Sequence, residues 1–88
     1  MINLYKNLPS LDLHGFDRNY ARITINEFIN DNYIMHQEKV IIIHGIGSGI
    51  LKTTVHNTLK NNHLVKNYKL DNFNVGTTIV ELIKKIDK

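Results

Sequence analysis

"VIIIHGIGSGILK", residues 40–52, decides how this chain is read. Val40 and three isoleucines run straight into His44, and Gly45, Gly47 and Gly49 then alternate ahead of an amphipathic run. β-Branched residues suit a pleated strand. A continuous apolar run of this length predicts a strand over 40–43 buried on both faces, as in a parallel sheet. Leu51, Val55 and Leu59 recur on one helical face. The glycines therefore stand at a strand-to-helix turn, where backbone amides favour an anion such as a phosphodiester. On glycine count alone, a tight turn without a ligand is the plainer reading. Two specific phosphate loops are disfavoured. The dinucleotide fingerprint G-x-G-x-x-G meets Ile50 where its third glycine belongs, although Asp71 stands 22 residues past Gly49, near the place of a ribose-binding carboxylate. No G-x-x-x-x-G-K-[ST] register exists either.

Upstream, "SLDLHG" (10–15) alternates Leu11 and Leu13 with Asp12 and His14, the two-residue period of a half-buried strand, and Gly15 ends it. Asp17 suits the N-cap of a helix starting near Arg18. Ala21, Ile25, Phe28 and Ile29 form its core stripe, and it should fade near Met35 or His36. Downstream, the second helix should end within 60–63, where asparagines favour termination. "VKNYKL" (65–70) reads as a strand with Val65, Asn67 and Lys69 on one face. "DNFNVG" (71–76) is turn chemistry with Gly76 free to take positive φ, and "TTIVELI" (77–83) is a last strand. A short arm over 1–9 and a frayed tail over 84–88 flank a core of about 11–83 within a single domain, 1–88. The order β-α-β-α-β-β predicts an α/β two-layer sandwich: a four-stranded mixed sheet with two helices. Its first strands are parallel through right-handed crossovers, and its last pair is antiparallel.

The chain has 88 residues and no cysteine, which excludes disulfides and thiolate metal sites. No apolar run approaches the roughly 18 residues of a membrane span, and the N-terminus lacks a signal-peptide layout. A soluble, cytoplasmic protein without a membrane partner is the expectation. The net charge of +3 is uneven: residues 1–44 hold four basic and five acidic residues, and 45–88 hold seven lysines and three acids. A basic half suits a polyanionic partner, although with no basic run of five or six residues solvated lysines are the plainer reading on charge alone. No surplus apolar stripe points to a second copy, so a monomer is expected.

Of five histidines, His36, His56 and His63 fall on helix ends or faces, where solvated side chains are the plainer reading. None forms H-E-x-x-H. His14 and His44 differ: each ends a predicted strand and precedes a glycine. Parallel strands would bring both to the carboxyl edge of the sheet, where α/β folds bind ligands. Asp12 stands on the same strand face as His14, placed to orient an imidazole and favour its charged form. Polar residues at strand ends are the alternative.

Together, "LDLHG", "HGIG" and "GTTIVEL" resemble the Smr (small MutS-related) domain over 11–83, as a stand-alone single-domain member. The first family motif falls on Leu11, Asp12, Leu13, His14 and Gly15. The second falls on His44, Gly45, Ile46 and Gly47, with Lys52 at the basic position that follows. The resemblance implies a sandwich similar to the C-terminal domain of bacterial translation initiation factor three. It also implies nucleic-acid binding, with nicking or RNA-cleaving endonuclease activity, and the first-motif aspartate and histidine as the catalytic centre. Members often carry lysine where this chain has Ile46.

The expectation is therefore an endonuclease in which Asp12, His14 and His44 are catalytic. Gly45, Gly47, Gly49 and Lys52 would bind phosphate. No metal ligand is assigned and no cofactor is required. Asp12 could hold Mg²⁺, although one carboxylate is thin for a protein-held ion. Two histidines can cleave RNA through its 2′-hydroxyl, which favours RNA slightly over DNA. A non-catalytic RNA- or DNA-binding module, or one associated with the ribosome, is the alternative.

Overall fold

Strand β1 (Ser10–Asp12) lies parallel to β2 (Lys39–Ile43), with Leu11 level with Ile42. The computed structural model describes residues 7–87 of the chain. Strand β4 (Asn74–Leu82) runs antiparallel between β2 and β3 (Val65–Asp71), giving the order β1-β2-β4-β3. The strands β1, β2 and β3 consequently point the same way, and their carboxyl ends share one edge with the β3–β4 turn. The expected α/β architecture, a four-stranded mixed sheet with two helices, is present among the described residues.

Helix α1 (Arg18–Ile34) begins where the Asp17 carboxylate accepts the Tyr20 amide at 2.8 Å, satisfying an amide that has no partner within the helix. Ala21, Ile25 and Ile29 are buried along it. Past its cap Met35, His36 turns left-handed at φ 64°. His36 N–H then reaches Tyr33 O at 3.0 Å, and Gln37 N–H reaches Asn32 O at 2.9 Å. That pair of bonds is the Schellman closure, which usually places glycine at the left-handed position. Helix α2 (Ile50–Lys60) starts from Gly49 at φ 84°, with no side-chain cap, and buries Val55, Thr58 and Leu59.

One face of the sheet, carrying Val40, Ile42, Val80 and Leu82, meets Ile25 and Ile29 of α1 and Val55 and Leu59 of α2 in a single core. Each such aliphatic side chain contributes about 1.5–3 kcal/mol when fully buried. Both helices cover this one face, so β2 is not buried on both faces as expected. Val40 and Ile42 are buried, while Ile41 and Ile43 are half-buried. The run of isoleucines concealed this alternation because every position in it is apolar.

Four further expectations change. β1 ends at Asp12 rather than at Gly15. The Asp12 carboxylate takes the His14 amide at 2.9 Å, Phe16 N–H reaches Leu13 O at 2.9 Å, and Gly15 at φ 80° closes the turn. The link between β3 and β4 is not 71–76 but the pair Asn72 and Phe73, where the Asp71 carboxylate holds the Phe73 amide at 2.9 Å. Gly76 is absent from the positive-φ glycines and lies inside β4. Val65 does not share a face with Asn67 and Lys69. A bulge between Val65 and Asn67 turns it to the side of Tyr68, and both pack on the core.

The first six residues of the arm read over 1–9, and Lys88 of the tail, lie outside the described residues. Pro9 O accepts Ile41 N–H at 2.9 Å, so the end of the arm already belongs to the β1–β2 ladder. In the tail, Asp87 pairs with His36 Nε2 at 3.0 Å. Among the described residues no helix is long and apolar enough to cross a membrane.

Candidate functional site

The loops after β1 and β2 meet at the carboxyl edge of the sheet and enclose a groove of about 560 Å³. Gly15, Phe16, Asp17 and Arg18 form one wall, and Gly47, Gly49 and Lys52 are part of the other. Each wall runs into a helix N-terminus, where the first-turn amides have no partner within the helix. At α2 the nearest substitute is Ser48 Oγ, 3.4 Å from the Ile50 amide. Arg18 and Lys52 sit in the first turns of α1 and α2, and α1 and α2 have no acid there. A cation at the positive end of a helix is disfavoured unless an anion joins it. At α1 the Asp17 carboxylate already stands beside Arg18, so the α2 N-terminus, with Lys52 and no side-chain cap, is the more electropositive wall.

His44 follows the inward alternation of Val40 and Ile42 and is buried, with 7% of its surface exposed. Its Nδ1 lies 2.9 Å from Gly45 O, and its Nε2 lies 2.8 Å from Thr78 Oγ1. Thr78 is fully buried opposite Ile42 in β4. The same hydroxyl meets His56 Nε2 from α2 at 2.9 Å. The His44 and His56 rings stand nearly perpendicular with centroids 6.0 Å apart, and His56 also lies 5.2 Å from the Tyr68 ring. Desolvation, then the neighbouring His44 and Lys52, push the His56 imidazole below its ordinary value of 6.5. The neutral form is therefore favoured at pH 7.

The remaining predicted residues divide. Gly47, Gly49 and Lys52 line the groove, whereas Gly45 does not. The Gly45 amide is committed to Gly76 O at 3.0 Å, beside that of His44 at 2.9 Å. Asp12 and His14 are both exposed and immediately precede the wall that starts at Gly15, without lining the groove themselves. Asp12 meets the backbone amide of His14 rather than an imidazole. The His14 ring makes no hydrogen bond, ion pair or ring contact among the described residues. The two motifs are brought to one edge, but His14 and His44 do not form a contacting pair. No group of three or more metal-ligating side chains converges among the described residues.

Thr78, His56, Gly76 and Arg18 are not among the site residues expected from the sequence. For Thr78 a signal exists: Gly76, Thr78, Val80 and Leu82 alternate onto the core face, and a hydroxyl buried there requires a partner. For Arg18 it is the first-turn position itself, which the dipole disfavours.

The Smr domain family model matches residues 11–83. Endonuclease MutS2 of Clostridium kluyveri is 38% identical over 84 residues, covering 92% of this chain and 11% of that protein. The Clostridium novyi endonuclease MutS2 is 37% identical over 84 residues, with the same coverage. The chain thus spans about a tenth of the length of these relatives. Among solved structures, the Smr domain of Thermus thermophilus MutS2 superposes with a TM-score of 0.83 at 19% identity, over 86% of this chain and 99% of that one. YdaL, a stand-alone small MutS-related protein from Escherichia coli, gives 0.81 at 25% identity, over 85% of this chain and 64% of that one. Motifs, family model, relatives and fold agree, and this chain belongs to the Smr domain family.

Proposed function

We propose that this domain binds nucleic acid in the groove between its two motif loops and cleaves the phosphodiester held there. One observation carries the reading: "LDLHG" and "HGIG", some thirty residues apart in sequence, meet at a groove whose walls are two helix N-termini bearing Arg18 and Lys52. The groove-lining amides and Lys52 bind the phosphate and stabilise the charge that develops on it. His14, exposed beside this wall with its ring uncommitted among the described residues, transfers the proton. Such a group typically contributes about 10²–10⁴-fold. Asp12 fixes the turn that presents His14. His44, with both nitrogens engaged inside the protein, holds the phosphate loop in shape. On RNA, the 2′-hydroxyl attacks phosphorus as His14 takes its proton, the P–O5′ bond breaks, and the departing 5′-oxygen takes a proton from water. That route needs no protein-held metal and favours RNA over DNA. The setting proposed is a cytoplasmic monomer.

A non-catalytic RNA- or DNA-binding module, at the ribosome or elsewhere, is the second reading. It is favoured by Ile46, 71% exposed in the second motif where members often carry lysine. Labelled RNA and DNA incubated with wild type, Asp12→Ala and His14→Ala, with and without Mg²⁺, separate the two. Cleavage by wild type that both variants lose supports the nuclease. Binding by all three with every strand intact overturns it in favour of the module.

A further inference from the structure

We propose that Thr78 and His56 are positioning residues for the phosphate loop, acting through His44. This rests on the phosphate reading above. A carbonyl oxygen only accepts, so His44 Nδ1 must carry a proton to bond Gly45 O at 2.9 Å. If Nδ1 holds the only proton of the His44 ring, a single arrangement satisfies the remaining contacts. Thr78 has a single hydroxyl proton, and His44 Nε2 must accept it at 2.8 Å. His56 Nε2 must then donate its own proton to Thr78 Oγ1 at 2.9 Å. The chain runs in one direction, from His56 through Thr78 and His44 to the Gly45 carbonyl.

The direction matters for the loop. In a planar trans peptide the carbonyl of Gly45 and the amide of Ile46 point opposite ways. Holding the Gly45 carbonyl against the buried ring turns the Ile46 amide away from it, at the residue that opens the glycine wall of the groove. Burial makes the arrangement exacting. Thr78 is fully buried and His44 nearly so, and an unpaired polar atom there is costly. Among the described residues no buried side-chain nitrogen or oxygen lacks a partner.

The test combines ¹⁵N NMR of the histidine rings with binding of a short single-stranded oligonucleotide. In wild type, His44 should be a single Nδ1–H tautomer with a hydrogen-bonded, unprotonated Nε2, and His56 an Nε2–H tautomer. Thr78→Val should weaken oligonucleotide binding about tenfold, the equivalent of roughly one buried hydrogen bond. Thr78→Ser should restore it to within about twofold, since the hydroxyl returns. His56→Phe keeps a ring against Tyr68 and removes the donor, and should give an intermediate loss. It serves as the second variant if Thr78→Val does not fold. His44 found as Nε2–H or as a tautomer mixture in wild type overturns the proposal, as does equal binding by wild type and a folded Thr78→Val. If no oligonucleotide binds wild type, the phosphate reading fails by itself, and the tautomers still decide whether the chain of bonds exists.

Discussion

Gly76 lies so close to Gly45 that a Cβ at position 76 would stand 3.2 Å from both the carbonyl carbon and the Cα of Gly45. The Gly76 carbonyl meanwhile takes the amides of His44 and Gly45. The last strand is thereby pinned to the glycine loop after β2 through backbone alone. Gly76→Ala should therefore lose about 1–3 kcal/mol, because backbone and not a flexible side chain would have to give way. Gly47 has open space at its Cβ and no positive φ, so Gly47→Ala should change stability by no more than about 0.5 kcal/mol. Urea midpoints compared at constant slope read both values. Equal stability of the two variants would refute the contact.

His36 occupies the left-handed position of the α1 closure at φ 64°. His36→Gly should raise stability by about 1 kcal/mol, since a side chain is strained there, and lift the melting temperature by about 5 °C. The exposed pairing with Asp87 is lost in the same variant, which trims the gain without reversing its sign. Melting curves of the two proteins suffice, and a drop in melting temperature would count against the assignment.

The imidazole of His56 is held below its ordinary value of 6.5 by desolvation, His44 and Lys52. The unfolded chain then binds this proton more readily than the folded one. Stability should be fully present above about pH 6.5 and fall with pH until the folded-state value is reached. His56→Phe removes this titration. Its stability should vary less than that of wild type between about pH 5 and 6.5, a window above the ordinary carboxylate range. Parallel pH profiles in that window would show that burial of His56 is not felt.

Lys52 and Arg18 face the groove from the first turns of the two helices. If each meets a phosphate, Lys52→Gln and Arg18→Gln should each lower the slope of log affinity against log salt by about 1. An unchanged slope and affinity would remove the residue from the interface.

Local chemistry was the legible part of this fold. Asp17 caps α1 through a carboxylate three residues from its partner, and the stripe Ala21, Ile25, Ile29 carries its burial in its spacing. Both motifs were legible because strand, histidine and glycine recur in order. What escaped depends on residues distant in sequence. Gly76 is glycine because Gly45 approaches it, not because of its own φ. Val65 faces inward because of a bulge that no alternation rule registers. In sequence Thr78 is one more β-branched strand residue, and only the fold brings two imidazoles to its hydroxyl. His14 and His44 share an edge as expected, yet β1 stops at Asp12 and leaves His14 in a turn, while His44 continues into the core.

The most direct test of where nucleic acid sits is an amide chemical-shift footprint of ¹⁵N-labelled protein titrated with a short RNA. The largest changes should fall on the groove walls, residues 15–18 and 46–52, and should shrink in Lys52→Gln. The outer face of the sheet, marked by Lys39, Lys69 and Glu81, should stay still. Changes concentrated on that outer face, with the two motif loops unmoved, would contradict the placement of the phosphate site.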